Sequence, residues 1–427
     1  FLLIKLVGGG FRVGVSKLLV QRALAAHGGV DARRVAQRMM GYTDGKSTPS
    51  ATRYAALIAQ GEEGVADPQD EGQPYPFFLA HQLDGTPETL AARLGAVGEW
   101  QVEWKYDGIR GQIVKRGGQV WVWSRGEELV TERFPELVAL AQPLPDGTVL
   151  DGEIMVWKEG RPAAFSLLQQ RIGRKTLTKK VLADAPVSYM AYDLLEEGHT
   201  DIRALQQRER RARLEALLAG TALQLSPVET GASWLEFAAR RDQSRERGVE
   251  GFMLKRLDAG YGTGRTKADG LWWKWKIDPM TIDCVLIYAQ AGHGRRASVY
   301  TDYTFAVWNR TPHDRAEADA VLEAIARKEP AQPGALQLVA FAKAYSGLTD
   351  EEFRQVDAVI RKTTLEKFGP VRSVKPQLVF ELGFEGINRS PRHKSGIAVR
   401  FPRMLRIRGD KPVYEANTLQ DLETLLN

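Results

Sequence analysis

The sequence predicts a multidomain chain: a helical, all-α part over 1–75, an α+β domain over 76–280 and a small all-β domain over 281–427. Three observations carry this reading. At 427 residues the chain is too long for one ordinary core. From about 76 to 276, runs of alternating apolar and polar residues exchange with runs at helical spacing. After "IDPMTID" (277–283) the pattern turns to strands.

The elements follow in order. From Ser16, a plausible N-cap, Leu18, Leu19, Val20, Ala23 and Leu24 recur at helical spacing. Arg12, Lys17 and Arg22 could touch phosphates there, or form a solvated helix face. The apolar opening is broken by Lys5 and by the glycines at 8–10, too soon for a membrane span or a signal peptide. It lacks an initiator Met and begins inside an apparent helix, so the chain is expected to start partway through a domain. "GEEGVADPQDEGQPYPFF" (61–78), rich in Gly, Pro and acidic residues, marks a boundary. Strands are predicted at 100–104, 111–116, 120–123, 148–157, 187–193 and 251–255, with helices around 129–140, 164–171, 204–218 and 233–247. "CVLIYAQAGHGRRASVYTDYTFAVW", "PQLVFELGF" and "GIAVRFPRMLRIRG" then read as strands of a small barrel.

Composition narrows the function. Lys plus Arg number 59 against 53 Asp plus Glu, giving +6 and a pI near 9.2, a balance that favours a polyanionic partner without requiring one. The single Cys284 excludes an internal disulfide framework and any multi-cysteine zinc site, and points to a reducing compartment.

The stretch "EWKYDGIRGQ" (103–112) carries the chemistry. A strand runs into Lys105, then stops at Asp107-Gly108, with Arg110 beyond. An amine is nucleophilic when neutral, and with an ordinary pKa of about 10.4 only roughly one lysine in a thousand is neutral near pH 7. Desolvation and neighbouring cations lower that value, and Arg110 could be such a cation. The plainer reading is a surface β-turn with a solvated lysine. Downstream, "LDGEI" places Glu153 at a strand end, and "EGFMLK" places Glu250 and Lys255 at the two ends of another. Two carboxylates near Lys105 would suit a divalent metal. Tyr192 in "MAYDLL" could stack on a base, and Lys274 and Lys276 in "LWWKWK" share a strand face, as a phosphate clamp would. Taken singly, each fits an exposed strand end, a core aromatic or an amphipathic strand. Their joint order favours the chemical reading.

These blocks resemble the covalent nucleotidyltransferases, and among them the ATP-dependent DNA ligases. The likeness runs through "KYDGIR" (105–110), "SRGEE" (124–128), "LDGEI" (150–154), "AYDLL" (191–195), "EGFMLK" (250–255), "WWKWK" (272–276) and "RFPRMLRIRGDK" (400–411), in the family's order. "LLQQRIGRK" and "GHGRRAS" look most like bacterial ligases with an extra N-terminal domain, and the first 60 residues are similar to the end of that helical DNA-binding domain. The resemblance therefore implies a partial all-α DNA-binding domain plus linker (1–75), an α+β nucleotidyltransferase (adenylation) domain (76–280) and a C-terminal all-β OB-fold (281–427).

It also implies a three-step reaction on nicked double-stranded DNA. Lys105 would attack the α-phosphate of ATP and carry AMP covalently, the AMP would pass to the 5′-phosphate, and the 3′-hydroxyl would displace it, with Mg2+ as cofactor. Glu103 would lie by the adenine, Tyr192 would stack on it, and Arg110 and Arg125 would contact the nucleotide or the nick phosphate. Glu153 would bind ribose or metal, Glu250 metal, and Lys274 with Lys276 the α-phosphate. Arg400, Arg403 and Lys411 would orient the leaving pyrophosphate, which demands a terminal domain that moves about "IDPMTID". Arg265 looks like the family's loop cation, at a longer spacing to Lys276 than in many relatives, and Gly126 stands where relatives often have Asn or Thr. Arg171, Arg174, Lys175, Lys179 and Lys180, and a loop holding Arg295 and Arg296, could track DNA or be solvated charge.

The resemblance further implies a monomer in the bacterial cytoplasm, associated with the nucleoid and not with a membrane. An RNA ligase, a capping-type nucleotidyltransferase and a non-catalytic nick-binding relative remain as alternatives, and an NAD-dependent ligase is disfavoured by the lone Cys284. Replication, repair and recombination are left open.

Overall fold

The computed structural model describes residues 17–39, 50–60, 72–126, 128–172, 174, 176–264, 270–292 and 299–426. The chain divides into two units, Phe1–Ile277 and Asp278–Asn427.

Among the described residues the first unit opens with helices α1 (Lys17–Gly28), α2 (Ala32–Arg38) and α3 (Ala51–Ile58), which bury Ala25, Val35, Met39 and Leu57. Ser50 caps α3 by accepting from the Arg53 N–H at 3.2 Å. The inner face of α1 differs from the one expected. Leu19 and Val20 are 57% and 38% exposed, while Gln21 and Ala25, one helical turn apart, point inward. Ser16 lies outside the described residues.

The strands of this unit are β1 (His81–Gln82), β2 (Trp100–Tyr106), β3 (Ile109–Arg116), β4 (Gln119–Ser124), β5 (Thr148–Lys158), β6 (Arg161–Pro162), β7 (Val187–Glu197), β8 (Thr200–Asp201), β9 (Gln224–Leu225), β10 (Val228–Glu229), β11 (Val249–Arg256) and β12 (Trp272–Lys276). They form two sheets. One has the order β1-β12-β11-β2-β10; the other runs β4-β3-β5-β7-β8, with β6 on β5 and β9 on β7. Alternation sends Trp100, Val102, Trp104, Phe252, Leu254 and Trp275 of the first sheet into a core with α4 (Pro87–Leu94). The second sheet packs Ile113, Val122, Leu150, Ile154 and Leu194 against α5 (Pro135–Ala141), α6 (Phe165–Ile172) and α8 (Gln207–Leu218), while α7 (Lys179–Asp184) buries none of its residues.

Two helices are shorter than the sequence predicts. The one expected from 129 starts at Pro135, because the residue before a proline is pushed out of the α region and Phe134 sits at φ −135°, ψ 61°. The one expected over 233–247 is α9 (Trp234–Arg241), capped by Ser233.

The second unit holds β13 (Met280–Ala291), β14 (Tyr300–Trp308), β15 (Leu338–Ala344), β16 (Thr364–Phe368), β17 (Val371–Val374), β18 (Val379–Phe384), β19 (Gly386–Arg389), β20 (Ile397–Arg400) and β21 (Arg403–Ile407). The sheet order is β15-β14-β13-β17-β16, with β18 joining β13 to β21, and β19-β20 forms a separate hairpin. The all-β expectation is corrected here. This unit also carries α10 (Arg315–Ala326), α11 (Asp350–Thr363) and α12 (Leu419–Thr424). α11 starts at a capping box in which Thr349 accepts from the Glu352 N–H and the Glu352 carboxylate accepts from the Thr349 N–H, and it buries Val356 and Ile360. Among the described residues no helix is long and apolar enough to cross a membrane.

Candidate active site

The site is built at two β-bulges. Along the antiparallel pair β2–β11, Met253 faces Glu103 and Phe252 faces Trp104, but Val249 then faces Tyr106, so Glu250 and Gly251 together oppose Lys105. Gly251 adopts φ +118°, and a Cβ there would meet the Trp275 carbonyl oxygen at 2.2 Å, so the bend requires glycine. The bulge brings Glu250 onto Lys105, whose ammonium donates to Glu250 Oε2. From β12, Lys276 Nζ comes within 3.8 Å of the same oxygen, and Lys274 stands on the same face opposite Met253.

The second bulge lies between β5 and β7. Asp151 pairs with Asp193 and Gly152 with Ala191, leaving Tyr192 as the extra residue. Its ring is approached by Lys255 Nζ at 4.5 Å and by the Arg110 guanidinium at 5.8 Å. On β3, Arg110 is register partner to Glu153. The turn after Lys105 is tight for a packing reason: a Cβ on Gly108 would meet the Ile154 carbonyl oxygen at 2.3 Å and Glu153 Cγ at 2.9 Å.

Electrostatics overturn one expectation. Burial pushes the Lys105 ammonium down, but Glu250, Glu153 and Asp107 outweigh it, and its pKa lies above the ordinary lysine value. Arg110 is otherwise engaged: Asp151 grips it through two bonds of 3.2 and 2.7 Å, and it donates to the Phe78 carbonyl at 2.6 Å and the Tyr261 hydroxyl at 3.3 Å. Lys105 is therefore a paired ammonium. Glu153 moves the other way from an ordinary surface carboxylate: burial pushes it up to about 8, although Lys105 and Arg110 oppose the rise.

The remaining expected residues divide. Glu103 is buried, with Lys255 Nζ at 2.7 Å and Arg211 at 3.4 Å, so it addresses Lys255, which the sequence reading noted without assigning it a role. Arg125 is exposed, and its N–H donates to the Arg110 carbonyl at 2.9 Å. Arg171 is corrected: its side chain is fully buried, bidentate to Glu136 at 2.6 Å and donating to the carbonyls of Ala185 and Arg133, and is not available to DNA. Arg174, Lys179 and Lys180 are exposed. In the second unit, Arg403 is exposed, the Arg400 guanidinium lies 5.0 Å from the Phe401 ring, and Lys411 donates to Asp283 at 2.7 Å. Arg12, Lys175, Arg265, Arg295 and Arg296 lie outside the described residues, as does the side chain of Lys17.

Glu153 and Glu250 offer oxygen donors of the kind a hard divalent cation takes. Among the described residues no group of three or more His, Cys, Asp or Glu could hold a metal unaided, so such an ion would need phosphate oxygens and water to complete its shell.

Residues 78–276 match the model of the ATP dependent DNA ligase domain, and residues 322–411 that of the ATP dependent DNA ligase C terminal region. A probable DNA ligase of Koribacter versatilis is 33% identical over 99% of this chain and 71% of its own length. Another, from Opitutus terrae, is 34% identical over 98% of this chain, which spans 44% of that longer protein. Among solved structures, Pmar-Lig_PreS3 shares the fold with a TM-score of 0.55 at 18% identity, over 78% of this chain and 67% of that one.

Proposed function

The chain belongs to the ATP-dependent DNA ligase family, and we propose that it seals nicks in duplex DNA by three nucleotidyl transfers centred on Lys105. The observation that carries this reading is the Lys105–Glu250 contact, set on one sheet face with Lys276 and beside Glu153.

In the first step Lys105 Nζ attacks the α-phosphorus of ATP. Lys105 first gives one ammonium proton along its hydrogen bond to Glu250, which frees the lone pair; the P–N bond then forms as the bond to pyrophosphate breaks, and a second proton leaves the nitrogen to solvent. Lys276 and Lys274 neutralise the α-phosphate, and Tyr192, backed by Lys255, offers its ring to the adenine. Glu103 acts on the adenine pocket through Lys255. In the second step an oxygen of the 5′-phosphate takes the AMP and the P–N bond breaks, returning the proton to Lys105. In the third the 3′-hydroxyl oxygen attacks the activated 5′-phosphorus, the new P–O bond forms as the bond to AMP breaks, and the hydroxyl proton leaves to solvent. Arg110 and Arg125 serve the nucleotide or the nick phosphate; Arg400, Arg403 and Lys411 attend the leaving pyrophosphate. A divalent cation such as Mg2+, when bound, would be held by Glu153 and Glu250 and supply positive charge against the phosphates. Helices α1–α3, with the basic residues around them, contribute to DNA binding as the end of a helical domain.

Incubation with α-labelled ATP or GTP and magnesium, followed by denaturation, tests this. Label is expected from ATP, not in Lys105→Ala, and is chased by nicked DNA into sealed product. A folded preparation stripped of AMP that takes no label from either nucleotide would refute the catalytic reading; label from GTP would point to capping-type chemistry.

A further inference from the structure

We propose that Asp283 is a positioning residue for the first step, holding Lys411, with Arg408 beside it, in the geometry that Lys411 brings to the departing pyrophosphate. The inference rests on the reading above that Lys411 meets that group.

Asp283 is 8% exposed and lies on β13, opposite Glu381 of β18. Its backbone is fixed on both sides by Asn417: the Asp283 N–H donates to Asn417 Oδ1 at 2.8 Å, and the Asp283 carbonyl accepts from the Asn417 N–H at 2.9 Å. The carboxylate is thus a rigid anchor. Its Oδ2 accepts from Lys411 Nζ at 2.7 Å and from Arg408 Nη1 at 2.9 Å, and its Oδ1 from the same Nη1 at 3.1 Å. Asp410 grips the other edge of Arg408, accepting from Nη2 at 2.8 Å and from Nε at 3.0 Å.

The two cations differ in what they need. Arg408 is a planar fork gripped by two carboxylates, whereas Lys411 stands on a turn after β21 with a flexible four-carbon stem. An unpaired lysine there would spread over several rotamers, and ordering it would weaken its hold on an anion. Asp283 supplies that order in advance. Lys411 keeps 21% of its side chain open and lines a cavity of about 510 Å³ with His313 and Arg315, so an anion can reach its ammonium while it stays tethered. Of the three acids of the same cavity, two are engaged at helix starts, Asp314 accepting from the Glu317 N–H at 2.8 Å and Asp421 from the Thr418 N–H at 2.7 Å, and the third, Glu415, is hydrogen-bonded to Tyr414.

The test uses the full chain with Asp283→Asn, Lys411→Ala and the double variant. Four quantities are read: the rate of AMP loading from ATP, the rate at which inorganic pyrophosphate strips AMP from the loaded enzyme, sealing of a nick already carrying AMP on its 5′-phosphate, and the thermal midpoint. Asp283→Asn is expected to slow loading and stripping about tenfold or more, with a higher half-saturating pyrophosphate concentration. Sealing of the pre-adenylated nick changes less than twofold. The double variant is no slower than Lys411→Ala alone, because the two act as one unit. Normal loading by Asp283→Asn beside slow loading by Lys411→Ala overturns the proposal. So does an equal loss of loading and sealing, which would mark Asp283 as structural. Normal loading and stripping by Lys411→Ala would instead remove the pyrophosphate reading itself, and this inference with it.

Discussion

Two lysine–glutamate pairs cross between the same two strands, and they are built differently. Lys105 on β2 meets Glu250 on β11; Glu103 on β2 meets Lys255 on β11. The first pair leaves 23% of the lysine and 17% of the glutamate side chain open, the second 1% and 2%. Lys255 also donates to the Tyr192 carbonyl at 3.0 Å and lies 4.7 Å from the Trp272 ring. A charge enclosed by a carboxylate, a carbonyl and two aromatic faces is held in place, whereas a charge met by carboxylates at a partly open edge can exchange its partner for a phosphate. The difference in enclosure, more than residue type, separates the proposed nucleophile from the support.

That contrast is sharpest under mutation. Lys105→Ala is expected to abolish covalent AMP loading while shifting unfolding stability by about 1 kcal/mol or less, since the pair it breaks is partly solvated. Lys255→Ala reverses the balance. It strands Glu103 at 2% exposure with Arg211 at 3.4 Å, and should cost about 3 kcal/mol or more in urea unfolding. A Lys255→Ala protein with an unchanged urea midpoint would show that enclosure does not make this pair a support.

Arg171 and Arg174 extend the comparison to a second pair of like residues. Arg171→Ala removes a buried bidentate partner from Glu136 and three donors to main-chain carbonyls, and is expected to cost about 2 kcal/mol or more. Arg174→Ala, at an exposed position, should leave the urea midpoint nearly unchanged and weaken nicked-DNA binding in a salt-dependent way. Equal midpoints for the two variants would contradict the burial argument.

What could be read in the sequence follows from what repeats locally. Apolar patterning marked β2, β3, β5, β7 and β11 because their apolar side chains are packed, on both faces in β3, β5 and β7. The order of Lys105, Glu153, Tyr192, Glu250 and Lys276 read as a series of strand ends, which is corrected for Glu153 and Tyr192: both fall within longer strands, β5 and β7. Their convergence was not visible, because it depends on two register slips, one opposite Lys105 and one at Tyr192, that period-two patterning cannot register. A glycine beside Glu250 was the available hint. The Lys105 amine was expected to be lowered because a cation stands five residues on, but Asp151 claims that cation from another strand. Arg171 looked like part of a basic run because its partner Glu136 lies on a different helix. In the second unit, "TDEE" (349–352) was a helix start that the surrounding strands obscured.

The most exposed pair in this series predicts the smallest effect. Glu317 accepts from Arg310 and from the His313 N–H at 2.7 Å, and these contacts hold its carboxyl down at about 2, with the Arg310 bond the main cause. The folded value lies below the unfolded one of about 4.3. Stability from this pair is therefore fully present above that unfolded value and is lost as pH falls toward 2. Both side chains are open to water, 37% for Arg310 and 27% for Glu317, so screening keeps the contribution small. Glu317→Gln should melt slightly lower at neutral pH, lose less stability than the unaltered protein between about pH 4 and pH 2, and converge with it at the acid end. Melting curves stepped through that window that stay parallel for the two proteins would remove Glu317 from the acid-sensitive groups, and with it the expectation that coupling grades with enclosure from Lys255 through Lys105 to Arg310.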